Sequence, residues 1–286
     1  MKDKNNTYSI RNLKLGDIDE VIKLCSMVHW PYAWQDIKRL YELEPQGCFC
    51  AEDDNQFIGQ SIGVMMGTLG AIGVIIVHEN YRRRGIGAAL TTETLNYLQN
   101  KGAKTVKLDA TPEGYNIYKK LGFLDEFPVY HYVGGLTSSQ SLTGSSEVKP
   151  LVADPEAIIK FDEFAFGANR ANVLKALFKD SRTFVVKHGS EIQGYVMYRP
   201  TDTGYWLGPF VANDVLNAEK LLQQVLGELS GKEIRLGVPS TNPKATDLLR
   251  EYDFEMEFET MRMCWGSNLE RGNIQFIFAE AGHEKT

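Results

Sequence analysis

The chain has 286 residues, 43% of them hydrophobic, which is enough for one large domain or two medium ones with real cores. Its formal net charge is −6, which excludes a nucleic-acid binder that relies on bulk positive charge. No apolar run reaches the roughly 18 residues of a membrane span, and the opening "MKDKNNTYSIRNL" lacks the apolar stretch of a secretory signal.

Along the first half, "YSIRNLKL" reads as a strand. "GDIDEVIKLCSMV" reads as a helix with Asp17 as N-cap. "QDIKRLYELE" is a second helix, and "CFCAEDDNQFIGQSIGVMMG" is a hairpin around an Asp-Asp-Asn turn. "AIGVIIVH" is almost wholly apolar, so it is expected as a central strand covered on both faces. A helix from Gly85 to about Lys101 follows and stops at Gly102; "KTVKLDA" is the next strand. "TPEGYNIYKKLG" is a short helix, with Thr111 as cap, Pro112 at its first position and Gly122 at its end. "VYHYVGG" is a last strand.

"GGLTSSQSLTGSSEVKP" is rich in Gly, Ser and Thr and reads as a linker. The second half then repeats the theme. After two helices come the hairpin "RTFVVKHGSEIQGYVMYRP" and the strand "YWLGPFV". The helix "LNAEKLLQQVLGELSG", the strand "EIRLGVP", the helix "NPKATDLLREYDF" and the strand "FETMRMCWG" complete it. The order hairpin, strand, helix, strand, helix, strand occurs twice, which indicates an internal duplication. The expected organisation is a domain at 1–133, a linker at 134–149 and a second domain at 150–280.

Four cysteines occur, at 25, 48, 50 and 264. Cys48 and Cys50 have no matching pair of cysteines or histidines, so no metal site is expected. Reduced thiols in a cytoplasmic protein are the simpler account.

The stretch "NYRRRGIGAAL" carries the chemistry. It lies between the buried strand and a helix, so it supplies that helix's N-terminus, with its unpartnered amides and positive dipole end. An anion fits there. Gly85 and Gly87 let backbone approach it closely, and Arg82, Arg83 and Arg84 add positive charge. A phosphate loop of the Walker type needs Lys-Ser/Thr where Ala88-Ala89 stand, and a dinucleotide fingerprint needs glycine where Leu90 stands.

The spacing Arg82-x-x-Gly85-x-Gly87 resembles the Gln/Arg-x-x-Gly-x-Gly/Ala pattern of the GNAT N-acetyltransferases. "VIIVHENYRRRGIGAAL" is similar to that family's central strand and pyrophosphate loop, and "YNIYKKLGF" to the helix whose Tyr precedes Gly-Phe. The resemblance spans about the first 133 residues. It implies acetyl-CoA as co-substrate. The amides of Arg83, Arg84, Gly85, Ile86, Gly87 and Ala88 would bind the pyrophosphate, and backbone groups of Ile75 and Val77 the pantetheine. Lys119 and Lys120 either approach the adenosine 3′-phosphate or form a solvated face. Thr111 stands where many members carry Asn, and its hydroxyl can take over that contact.

Acetyl transfer to an amine needs a deprotonated amine, a polarised carbonyl and a protonated leaving thiolate. The resemblance makes Tyr118 the general acid; on the residues alone it is a helix Tyr packing beside Ile117 and Leu121. Residues 72–77 hold no carboxylate, so no general base is readable, and His78 and Glu79 lie just beyond. On the acceptor side, Trp30, Tyr32 and Trp34 of "HWPYAWQD" either stack on a substrate or close the core.

The second half resembles a degenerate copy. It lacks the Arg-x-x-Gly-x-Gly pattern and has Leu249 in place of the Tyr. Its Asp162 and Arg170 either hold a charged acceptor or stabilise helix ends. The expected fold is α/β with mixed sheets: tandem GNAT folds, the N-terminal one catalytic. The expected function is acetyl transfer to a small-molecule amine, with no nucleic-acid or membrane partner. The alternatives are a non-catalytic acyl-CoA sensor and a protein N-acetyltransferase, which needs a long open groove.

Overall fold

The computed structural model describes residues 8–135, 145–151, 155–267 and 272–282; most of the expected linker at 134–149 lies outside them. The first half carries strands β1 (Tyr8–Asn12), β2 (Cys48–Asp53), β3 (Gln56–Met66), β4 (Leu69–Val77), β5 (Thr105–Ala110) and β6 (Leu124–Gly134). Its helices are α1 (Ile18–Met27), α2 (Trp34–Leu43), α3 (Ile86–Asn100) and α4 (Pro112–Lys120). The second half carries β7 (Val148–Pro150), α5 (Glu156–Phe166), α6 (Ala171–Asp180), β8 (Arg182–His188), β9 (Glu191–Pro200) and β10 (Tyr205–Ala212). It continues with α7 (Val215–Glu228), β11 (Ile234–Pro239), α8 (Pro243–Glu251), β12 (Glu255–Gly266) and β13 (Ile277–Ala279).

The strands join into one mixed sheet in the order β1-β2-β3-β4-β5-β12-β6-β11-β10-β9-β8-β7. The middle of this order crosses the two halves. β12 of the second half lies between β5 and β6, antiparallel to both, and β6 of the first half lies beside β11. Each half therefore takes one strand from the other.

The halves also share a core. Ile18, Leu40 and Val64 belong to the same buried cluster as Val173, Leu177 and Met197. Burying each such side chain contributes about 1.5–3 kcal/mol. Polar bonds cross the seam as well: Asn172 donates to the Met65 carbonyl at 2.8 Å, and Arg199 Nε donates to Asp36 at 2.9 Å. Arg39 bridges Asp36 and Asp180 at 2.8 and 3.0 Å.

Two expected caps act differently. The Asp17 side chain does not cap α1; it accepts from the Lys14 amide at 2.7 Å and pairs with Arg11 at 2.6 Å, closing the turn before the helix. Thr111 occupies the N-cap position of α4 without a side-chain cap bond, because its hydroxyl serves the Glu113 carboxylate instead.

Candidate active site

β4 and β5 run parallel only from Leu69–Ala71 against Thr105–Lys107, and then diverge. A β-bulge in β4 accompanies the divergence: the β3 register slips between Gln60 and Ile62, and Val74 takes φ +52°. A β-branched residue in that region is strained. The divergence opens a cleft of about 1050 Å³. Ile72–Val77 of β4 form one wall, and Asp109, Gly114, Ile117 and Tyr118 the other. Tyr118 is 7% exposed, and its burial pushes the phenol above its ordinary value, so the hydroxyl keeps its proton at neutral pH.

At the end of β4 the arginine–glycine loop leads into α3. Gly85, at φ +78°, is its N-cap residue, and Arg83 is also left-handed at φ +63°. Arg82, Arg83, Gly85, Ile86, Gly87 and Ala88 all line the cleft, as do Ile75, Val77 and Thr111. Arg82 Nε donates to the Val77 carbonyl at 3.1 Å, which ties the loop to the strand end. Arg84 turns away: its guanidinium pairs with Asp53 at 3.1 Å and lies over the Tyr81 ring. Lys120 lines the cleft, whereas Lys119 pairs with Asp125.

A second cavity of about 640 Å³ adjoins the first, and Val28, Trp30, Thr111, Glu113 and Phe258 line both. It lies on the seam between the halves. The first half contributes Trp30, Tyr32 and His131; the second contributes Arg199, Trp206 and Phe258. The sheet order explains the mixture, since β6, β11 and β12 run side by side there. Trp34 does not face this cavity: its indole donates to Asp19 at 3.1 Å, and Lys38 covers the ring. Arg170 is buried in a bidentate pair with Asp162, both bonds 2.8 Å, and stacks on Phe166; it lines neither cavity. His131, Phe258, Thr260 and Trp206 escaped the sequence reading, because no local pattern brings strands so distant in sequence together.

The charges at this junction are mostly paired. Asp109 takes both ends of the Arg262 guanidinium, at 2.5 and 3.1 Å, and Arg262 also pairs with Glu280. Glu113 is held below the usual carboxylate range, first by its own backbone N–H and then by the Thr111 hydroxyl.

Among the described residues, the second half lacks the equivalent cleft. β10 and β11 also diverge after Tyr205–Trp206, but β13 fills the gap. The Glu280 amide bonds the Gly237 carbonyl at 2.9 Å, and Asn242 donates to the Gln275 and Ile277 carbonyls at 3.2 and 2.9 Å.

Two family models match the chain: the acetyltransferase (GNAT) family over residues 15–123 and the acetyltransferase (GNAT) domain over 158–279. The chain belongs to the GNAT acetyltransferase family. This tandem GNAT protein is 26% identical over 282 residues to a protein of a Pseudoalteromonas strain named holothin acyltransferase, covering 96% of this chain and 94% of that one. It is also 26% identical over 279 residues to the Bacillus subtilis protein named uncharacterized N-acetyltransferase YitH, covering 92% and 94%. In fold it matches a Pyrococcus horikoshii protein classed as an acetyltransferase, at TM-score 0.86 and 23% identity, covering 100% and 99% of the two chains. A tandem GNAT protein from the clavulanic acid biosynthesis pathway matches at TM-score 0.63 and 12% identity, covering 90% and 98%.

Proposed function

We propose that this acetyltransferase moves an acetyl group from acetyl-CoA to the amine of a small molecule. The observation that carries the reading is the junction of the two cavities. A long cleft with a cationic, amide-rich end opens into a smaller chamber walled by both halves.

The donor cleft suits acetyl-CoA chemically. The first amides of α3 and the Arg82 and Arg83 side chains offer donors and positive charge to a pyrophosphate. The bulge at Val74 takes backbone polar groups out of the β3 ladder, which leaves them for a pantetheine arm or a thioester carbonyl. Tyr118, protonated at neutral pH, is the proton donor to the leaving thiolate. Asp109, locked on Arg262, shapes the cleft.

The acceptor chamber suits a small amine with an aromatic or apolar body. Trp30, Tyr32, Trp206 and Phe258 offer ring faces, and the ionised Glu113 at the junction attracts an ammonium group. The relatives named N-alpha-acetyltransferase, such as that of Sulfurisphaera tokodaii at 31% identity, match only 45% of this chain. In this chain the second half stands on the acceptor side, where a peptide acceptor would need an open groove.

The test is release of free CoA thiol from acetyl-CoA across a panel of arylalkyl amines, aliphatic amines, polyamines and N-terminal peptides. Turnover of arylalkyl amines, lowered at least tenfold by Tyr118→Phe with acetyl-CoA affinity unchanged, supports the reading. Turnover of the peptides alone overturns the small-molecule assignment. Acetyl-CoA binding without turnover of any amine overturns the enzyme.

A further inference from the structure

Deprotonating the acceptor requires a base, and the carboxylates at the junction are poor ones. Asp109 is neutralised by the bidentate Arg262. Glu113 is held in its ionised form by hydrogen bonds, which weakens its pull on a proton. Glu79 sits in the turn after β4, beside the arginine–glycine loop.

His131 is placed differently. It stands on β6, between Gly237 of β11 and Phe258 of β12. Its ring stacks on Phe258 with centroids 4.4 Å apart and planes 18° from parallel. Gly237 leaves room for it, since a Cβ there would come within 3.2 Å of the His131 ring. The His131 Nε2 lies 2.9 Å from the Thr260 hydroxyl, and both residues are 4% exposed. His131 lines the acceptor chamber, Thr260 lines the donor cleft, and Phe258 lines both. One hydrogen bond therefore connects the two cavities beside the residues they share.

We infer that His131 and Thr260 form the proton-accepting pair of the acetyl transfer; this rests on the N-acetyltransferase reading above. The acceptor ammonium gives a proton to the Thr260 oxygen while the Thr260 hydroxyl proton passes to the His131 Nε2. The freed nitrogen lone pair forms the C–N bond to the thioester carbonyl carbon. The C–S bond breaks, its electron pair leaves with sulfur, and Tyr118 protonates the thiolate. The nitrogen's surplus proton returns to Tyr118, and His131 releases its own proton to solvent. The charged and titratable groups that line the chamber with His131 are His29, Tyr32, Asp36, Glu113, Tyr132, Arg199, Arg235, Glu257 and Glu259, with Arg199 paired to Asp36 and Arg235 to Glu257.

The experiment uses the full chain, acetyl-CoA and the arylalkyl amine with the highest turnover in the panel. His131→Gln is expected to lower kcat by about 100-fold or more, to leave KM for acetyl-CoA within about twofold, and to abolish the acidic limb of the kcat/KM profile. Thr260→Val should do the same, and Thr260→Ser should restore turnover to within about threefold. A retained acidic limb in His131→Gln, or wild-type turnover in Thr260→Val, overturns the pair. A second readout needs no acceptor: ¹⁵N spectra of the histidine side chains at neutral pH. An unprotonated His131 Nε2 that shifts in Thr260→Val supports the pair, and a protonated, non-accepting Nε2 overturns it. Should wild-type protein turn over no amine while the spectra show the accepting nitrogen, the N-acetyltransferase reading fails and the hydrogen-bonded pair stands.

Discussion

The Tyr118 ring occupies the space that a side chain at Gly114 would fill: a Cβ there would lie 2.6 Å from the ring edge and 2.8 Å from the hydroxyl. The two residues are one helical turn apart on α4, so the ring folds back over the missing side chain. The atoms in conflict are the far end of a side chain, which moves more easily than backbone. Gly114→Ala is therefore expected to displace the Tyr118 hydroxyl and lower kcat about tenfold or more. Thermal stability should hold or fall modestly, because the helix preference of Ala over Gly, about 1 kcal/mol, is set against the cost of moving a buried ring, about 1–3 kcal/mol. Steady-state kinetics beside a melting curve checks it; unchanged kcat would show that the hydroxyl position does not matter.

Gly85 and Gly87 sit in one loop yet call for opposite outcomes. Gly85 has φ +78° with open space where a Cβ would go, so Gly85→Ala meets only backbone strain, about 1–2 kcal/mol of stability. Gly87 has ordinary dihedrals, and its nearest neighbour to an added Cβ is 3.7 Å away. Gly87→Ala, a residue the family pattern admits at this position, should fold as well as the parent and leave KM for acetyl-CoA near the parent value. Urea unfolding separates the two and KM checks the second; equal losses of stability would contradict this account.

Arg262→Met removes the cation between Asp109 and Glu280, both almost wholly buried. Two buried carboxylates that lose their shared cation should cost about 3–5 kcal/mol. Adding Asp109→Asn to the variant should recover part of the loss, because one of the stranded charges is gone. Denaturant midpoints of the single and double variants measure it, and strictly additive losses would rule out the shared pair.

Alkaline pH gives a fourth expectation. Burial raises the phenols of Tyr32, Tyr118 and Tyr195 above their ordinary value of 10.0. The folded chain keeps these protons where the unfolded chain releases them. Their contribution is intact below pH 10 and declines as pH rises beyond it. Unfolding free energy measured from pH 8 to 11 should bend downward near 10, and Tyr118→Phe should make the bend shallower. A profile that is flat through pH 11 would contradict the burial.

Much of the long cleft's framework was legible because its signals are local. The apolar β4, the glycine that starts α3, and Pro112 and Gly122 around α4 each act within a few residues, and the structure places them as expected. Arg84 shows the limit of that reading: sequence spacing groups it with Arg82 and Arg83, but Asp53 on β2 draws its guanidinium out of the cleft. Of the residues that line the smaller chamber, the sequence singled out only Trp30 and Tyr32 as substrate contacts. Antiparallel strands of similar apolar pattern do not encode which neighbour they take, so the placing of β12 beside both β5 and β6 had no local mark. β13 went unread for a related reason: three residues carry no periodicity, and their role comes from the gap they fill.

The exchange of β6 and β12 also sets a schedule. As the chain leaves the ribosome, β5 and β6 emerge with an empty slot between them. The strand that fills it comes later, with Arg262 reaching Asp109 across 153 positions. Contacts of such separation form late, and unpaired strand edges are prone to sticking while they wait. The amino-terminal half thus has the whole arginine–glycine loop of the long cleft before it has a finished sheet. Acetyl-CoA capture by a chain truncated before β12 is accordingly expected to be weak, and to be gained in the chain that includes β12.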